Sequence, residues 1–303
     1  VKLFFADTVP LGLPEGHRFP AVKYPLLRER VARSGCFPPE ALIPASPVSF
    51  DLLCLAHTPD YVRRVFSGQL SEKEIRRIGL PWSPELVERS RCSVGATLSA
   101  CRAALSEGVS ANLGGGTHHA YADHGEGYCV FNDVAVAVRA ILSETPARRI
   151  LIVDCDVHQG NGTAAILAGD PAVFILDLYG ARNFPFHKEA VSLAVPLPDG
   201  ANDAVYLAAL RTALPQAIEQ AQADLAIYLA GSDAFAGDSL GRLSLTKAGL
   251  EGRDRLVLHS LRQAGLGVCV VMAGGYARPI SDTVDIHFRT LCVAQEVFGD
   301  HLR

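Results

Sequence analysis

Four short, unbroken apolar runs separated by longer amphipathic segments constrain this chain more than any other feature. Arg149–Val153 (RILIV), Ala172–Leu178 (AVFILDL), Asp224–Ala230 (DLAIYLA) and Gly267–Ala273 (GVCVVMA) are rich in Val, Ile and Leu. They do not alternate with polar residues, so they read as strands covered on both faces, as in a parallel sheet. Val109–Leu113 is a weaker fifth candidate. Between them lie helical segments. One opens at Ser83-Pro84-Glu85, a cap, a first-turn proline and an early acid, and stops after Glu107 at Gly108. Others span Asn132–Ser143, Asn161–Ala168, Asn202–Gln222, Thr246–Gln263 and about Ser281–Phe298. The expected fold class is α/β: a single domain over residues 1–303, with a mainly parallel central sheet flanked by helices. Ligands of such sheets bind beyond the carboxyl ends of the strands, so the residues after each run carry the functional argument.

Composition removes several classes of function. Hydrophobic residues make up 49% of the chain, enough for a large core, which excludes wholesale disorder. A formal charge of −4 argues against direct nucleic-acid binding. No apolar run reaches the ~18 residues of a membrane span. Val1–Asp7 meets an acid too early for a secretory signal, and the eight cysteines form no CxxC pair. Reduced thiols and a cytoplasmic location are the expectation.

Polar residues gather after the runs. Asp154, Asp156 and His158 alternate as RILIV ends, which places them on one side if the extended conformation continues. Two carboxylates and an imidazole crowded there suit a divalent cation, and Gly160 and Gly162 around Asn161 suggest a close backbone approach. Gly114-Gly115-Gly116 precedes His118 and His119, which could serve as ligands, bases or neither. Asp233 follows DLAIYLA and could supply a third ligand. Tyr276 follows Gly274-Gly275 at the end of GVCVVMA, where its hydroxyl can project into a site.

In order and content, GGGTHHA, GYCVFND, DCDVHQGNGT, GSDAFAGDSLGRLSLT and GGY resemble the histone deacetylase family, of the arginase–deacetylase fold type. GHRFPAVKYPLLRERV and HTPDYV extend the likeness over nearly the whole chain, and DLYGARNFP and GDSLGRLSLT look nearest to its bacterial and class IV-like branch. The resemblance implies that Asp156, His158 and Asp233 ligate Zn²⁺; an Asp₂His set also suits Fe²⁺ or Co²⁺. It implies that His118 and His119 are the tandem active-site histidines, with His119 nearer the base role, and that Tyr276 polarises the substrate carbonyl. Asp154 matches the partner of His118. Asp154, Asp156, His158, Asp177 and Leu178 match the oxygen ligands of a structural K⁺ or Na⁺. Gly127, Tyr128, Leu240 and Gly274 match the acyl-lysine tunnel. Asn161 departs from class I enzymes, which have an Asp behind the second His, so the pKa of His119 should be lower here.

The implied activity is hydrolysis of an N-acyl amine by metal-activated water, with a histidine base and a tyrosine oxyanion donor. The implied partner is an acyl-lysine protein or peptide, or a small acylated amine, with acetylpolyamine as the alternative. Leu240, followed by Gly241 and Arg242, offers a distal ammonium no attraction; Asp238 is a nearby acid whose direction the sequence leaves open. A dinuclear ureohydrolase needs more bridging carboxylates than Ser232-Asp233-Ala234-Phe235 supplies. A serine hydrolase lacks its G-x-S-x-G elbow, and an inactive binding module sits poorly with every matched catalytic position being filled. Oligomeric state is not legible.

Overall fold

The structure is a computed structural model and describes residues 1–299. Its elements, in chain order, are β1 (Lys2–Phe5), α1 (Lys23–Arg33), β2 (Leu42–Pro44), α2 (Phe50–Leu53), α3 (Pro59–Ser67), α4 (Glu72–Ile78), α5 (Pro84–Glu107) and β3 (Val109–Asn112). There follow α6 (Asp133–Glu144), β4 (Ile150–Asp154), α7 (Asn161–Leu167), β5 (Val173–Gly180), β6 (Leu193–Leu197), α8 (Asp203–Ala221), β7 (Leu225–Leu229), α9 (Lys247–Gln263), β8 (Gly267–Val271) and α10 (Ile280–Phe298). The strands form one eight-stranded sheet in the order β2-β1-β3-β8-β7-β4-β5-β6, and every pairing is parallel. This is a single α/β domain with helices on both faces.

The alternation of side chains across the sheet divides the core in two. Leu151, Val153, Tyr228 and Val270 point to one face, where they meet Leu27, Leu210, Leu258 and Leu291 from α1, α8, α9 and α10. Ile150, Ile152, Ile227 and Val271 point to the other, where they meet Tyr61, Leu98 and Val134 from α3, α5 and α6. Both faces being covered explains why the inner strands read as continuous apolar runs. Helix starts follow their capping side chains. Ser83 accepts from the Leu86 amide at 3.1 Å, and Asn132 from that of Ala135 at 2.9 Å. Gly108, at φ +86°, ends α5.

Three strands went unread in the sequence. β1 and β2 are only four and three residues long. β6 is an edge strand containing Pro196, and its exposure alternates instead of being uniformly buried. Among the described residues, no helix is long and apolar enough to cross a membrane.

Candidate active site

The loops that carry the chemistry leave the carboxyl ends of β3, β8, β7 and β4, which are neighbours in the middle of the sheet. The β3 loop is held by Asp133 at the start of α6, whose carboxylate accepts from the amides of Gly116 (2.9 Å) and Thr117 (2.7 Å). Gly116 sits at φ +70°, and a Cβ there would lie 2.6 Å from that of Ala273. Only glycine lets the β3 loop lie this close to the β8 loop.

After β4 the chain leaves the extended conformation. Asp154 Oδ1 accepts from the Asp156 amide at 3.1 Å, and Asp156 Oδ1 from the His158 amide at 2.9 Å. These short side chain-to-backbone turns replace strand geometry. The expectation that Asp154, Asp156 and His158 share one side is therefore corrected for Asp154. Its Oδ2 instead meets His118 Nδ1 at 2.7 Å.

Asp156 and His158 converge with Asp233 from the β7 loop, all buried, with one ligand-type atom from each lying within 4.8 Å of the others. His158 Nδ1 is 3.0 Å from Asp156 Oδ1 and 3.2 Å from Asp233 Oδ2. The remaining carboxylate oxygens are fixed by backbone: Asp156 Oδ2 accepts from the Gly274 amide at 2.8 Å, and Asp233 Oδ1 from that of Val157 at 2.9 Å. Asp233 Oδ2 is buried with no hydrogen-bond partner among the described residues. Burial, then repulsion from Asp156, raises the Asp233 carboxyl well above the usual carboxylate range. An orphaned buried oxygen beside a second carboxylate and an imidazole nitrogen is a donor set that fits a divalent ion. A Cβ at Gly274 would fall 2.0 Å from Asp233 Oδ2, so the wall of this cradle admits no side chain.

The two histidines are set differently. Burial depresses the pKa of His118, but Asp154 and Asp156 more than reverse this and bring it to about 9. His119 Nδ1 lies 2.6 Å from Asn161 Oδ1. Burial and the neighbouring His118 and His158 keep the pKa of His119 well below 6.5. Asn161 Nδ2 donates to Glu126 Oε2 at 3.2 Å, which leaves the amide oxygen turned to His119. His119 thus carries its proton on Nδ1, and Nε2 keeps its lone pair.

Gly127, Tyr128, Leu240, His119, His158 and Tyr276 line one cavity of about 500 Å³, and Gly274 lines the narrower space beneath it. Gly127, at φ +55°, lies against His119: a Cβ there would be 2.7 Å from the ring. Asp238 is not among the described residues lining this cavity. It accepts from the amides of Tyr276 (2.6 Å), Leu240 (2.8 Å) and Gly241 (3.0 Å), tying the β7 loop to the tyrosine loop. Asp177 stands opposite Asp154 in the β4–β5 register. Its Oδ1 is buried without a hydrogen-bond partner among the described residues, and burial together with Asp154 keeps its carboxyl well above the usual range. Leu178, next along β5, buries its side chain in the core.

Sequence reasoning passed over three residues. The Phe184 ring stands nearly perpendicular to His119, with centroids 5.0 Å apart, and lines the same cavity. It lies in the DLYGARNFP segment, after β5, and was given no role there. Lys23 is buried under the tyrosine loop, with Nζ 3.3 Å from the carbonyls of Ala273 and Gly275 and 5.1 Å from the Tyr276 ring. Arg253 on α9 is fully buried and donates to the carbonyls of Gly231 (2.6 Å) and Cys155 (3.3 Å), which lie beside two of the converging side chains. Lys23 lies in the GHRFPAVKYPLLRERV segment but was given no role there, and Arg253 stands in no such motif.

The chain is similar to known proteins over most of its length. The family described as Histone deacetylase domain matches residues 17–291. An uncharacterized protein of Picosynechococcus sp. is 42% identical over 286 residues, covering 94% of this chain and 95% of the relative. Histone deacetylase 2 of Arabidopsis thaliana is 30% identical over 289 residues, covering 91% and 74%. The crystal structure of the HDA15 HD domain superposes with a TM-score of 0.80 at 23% identity, covering 99% of this chain and 90% of that one, and so shares the fold.

Proposed function

Because the chain belongs to the histone deacetylase family, we propose that it hydrolyses the amide of an N-acylated amine, with an acyl-lysine side chain as the substrate and acetyl as the simplest acyl group. The observation that carries this reading is the convergence of Asp156, His158 and Asp233 beside a neutral His119 and the Tyr276 side chain, at one end of a cavity open to solvent.

Asp156, His158 and Asp233 would hold the divalent ion, Zn²⁺ by the donor set, with Fe²⁺ or Co²⁺ as substitutes; when bound it supplies Lewis acidity to a water and to the substrate carbonyl. His119 takes the water proton on Nε2, since its Nδ1–H is committed to Asn161. His118, kept protonated by Asp154, places positive charge beside the developing anion. The Tyr276 hydroxyl donates to the carbonyl oxygen as it becomes an oxyanion, a role worth about 3 kcal/mol for a well-placed donor. The proton held by His119 passes to the departing nitrogen, leaving a carboxylate and a free amine.

Asp177, with its orphaned Oδ1 opposite Asp154, supports a structural K⁺ or Na⁺ between β4 and β5. The free thiols support a reducing, cytoplasmic setting. Leu240 and Arg242 at the mouth, with Asp238 tied to the tyrosine loop, favour acyl-lysine over acetylpolyamine.

The test is turnover of an acetyl-lysine peptide by protein reconstituted with Zn²⁺, alongside N-acetylputrescine. Turnover of the peptide is the expected result. A fully metal-loaded protein that cleaves no acyl amide overturns the reading, and a clear preference for acetylputrescine overturns the choice of substrate.

A further inference from the structure

The mouth of the cavity carries a charge opposite to that of the protein. The chain as a whole is −4. Yet the side chains lining the cavity include Arg76, Arg77, Arg182 and Arg242 and, among the described residues, a single carboxylate, that of Glu126. Three separate segments deliver these arginines: the end of α4, the loop after β5 and the loop after β7. Their side chains are 48–76% exposed, so they face solvent and any arriving substrate.

Their anionic neighbours, three carboxylates to four guanidinium groups, neutralise them only in part. Arg182 and Arg242 share the one carboxylate of Asp199, at 3.8 and 3.2 Å. Arg77 stands 3.7 Å from Glu126, whose other oxygen already accepts from Asn161. Arg76 pairs with Glu72 one helical turn back, at 3.2 Å. Exposed pairs of this kind are weak and are readily exchanged for another anion. The surplus therefore remains available to a ligand, and guanidinium groups suit carboxylates because their planar fork can donate two parallel hydrogen bonds.

Resting on the deacylase reading above, we infer that the site selects acyl amines that carry negative charge within about 10 Å of the scissile amide, roughly one Debye length. The substrate of that description is an acyl-lysine flanked by aspartate or glutamate. Leu240, Phe184 and Phe186 give apolar contact to the lysine methylenes and the neighbouring backbone. A lysine or arginine flank meets like charge at the same place, which slows encounter and weakens binding.

The experiment compares kcat/KM for three acetyl-lysine peptides of equal length, flanked by Asp, Gly or Lys, using the Zn²⁺-loaded wild-type protein. At low salt the Asp-flanked peptide should exceed the Lys-flanked one by about tenfold, with the Gly-flanked peptide between, and the spread should shrink in high salt. The double variant Arg182→Glu/Arg242→Glu should reverse the ranking. A second arm compares 6-acetamidohexanoate with its uncharged amide. A preference for the acid here, without one among the peptides, would overturn the flanked acyl-lysine in favour of a small acidic acyl amine. Equal rates for all three peptides at low salt, or a ranking that survives the charge reversal, would overturn the proposal and leave the deacylase reading standing. Failure to cleave even the Gly-flanked peptide or any other acyl amide would remove both.

Discussion

His119 Nδ1 lies 2.6 Å from the side-chain oxygen of Asn161, and no carboxylate takes that position. A neutral amide orients the ring as a carboxylate would, but it does not stabilise the imidazolium. With burial and two neighbouring imidazoles also opposing protonation, His119 stays a free base well below pH 6.5. Activity that depends on this base is lost as pH falls through the His119 pKa, so the acid limb of the wild-type profile should lie low. Asn161→Asp places an anion at the same contact and raises that pKa. The acid limb of kcat/KM should move up by about one unit or more. A pH profile with both limbs unchanged would exclude His119 as the titrating base.

Removing a converging carboxylate should remove the metal. Asp233→Ala is expected to reduce bound Zn²⁺ from about one ion per chain to near none, with activity lost in parallel, because two ligands hold the ion poorly. A hydroxamate should bind the wild type at micromolar concentration or tighter and the variant not at all. Metal analysis and calorimetry read both effects. Two tightly bound ions per active chain would contradict the three-ligand site.

Tyr276→Phe keeps the ring against Tyr128, Phe19 and Lys23 and removes the hydroxyl alone. The loss should fall on kcat, by roughly 10²–10³, with KM and metal content little changed. Steady-state kinetics on a single acyl-lysine peptide decides it; a larger change in KM than in kcat would assign the residue to binding.

Arg253→Ala should be the most destabilising single change near the site. It strips a buried guanidinium from Asp254 and from the carbonyls of Gly231, Cys155 and Ala230, leaving an uncompensated buried carboxylate. Loss of an ion-pair partner in such a setting costs about 3–5 kcal/mol. Urea unfolding of the metal-free proteins should show this as a lower midpoint. A midpoint equal to that of the wild type would mean that Asp254 is satisfied by Tyr228 and Thr290 alone.

What was legible in the sequence was local or periodic. The inner strands announced themselves by unbroken apolar runs, and the helix starts by Ser83, Asn132, Asn202 and Thr246. Asp156, His158, Asp233 and Tyr276 stood out because each follows such a run. The edge strand β6 did not, since a half-exposed strand with a proline has a weak pattern. The roles of Lys23, Phe184 and Arg253 went unread for a different reason, although the first two lie in segments that carry the family likeness. Each acts through partners far away in sequence, and no spacing rule connects Arg253 to Gly231 or Phe184 to His119. The direction of Asp154 depended on whether the strand continued, and two side chain-to-backbone hydrogen bonds decided that it did not.

The place of β8 in the strand order bears on how the protein comes to be made. β8, the last strand among the described residues, is inserted between β3 and β7, so it joins β2-β1-β3 to β7-β4-β5-β6. Until residues 267–271 enter, the halves bearing His119 and Asp156 share no strand contact, and the tyrosine loop does not yet exist. The side chains of the candidate site are therefore brought together only once β8 and the loop bearing Tyr276 are in place. Closing the sheet requires pairings between segments remote in sequence, which are the slow kind to form.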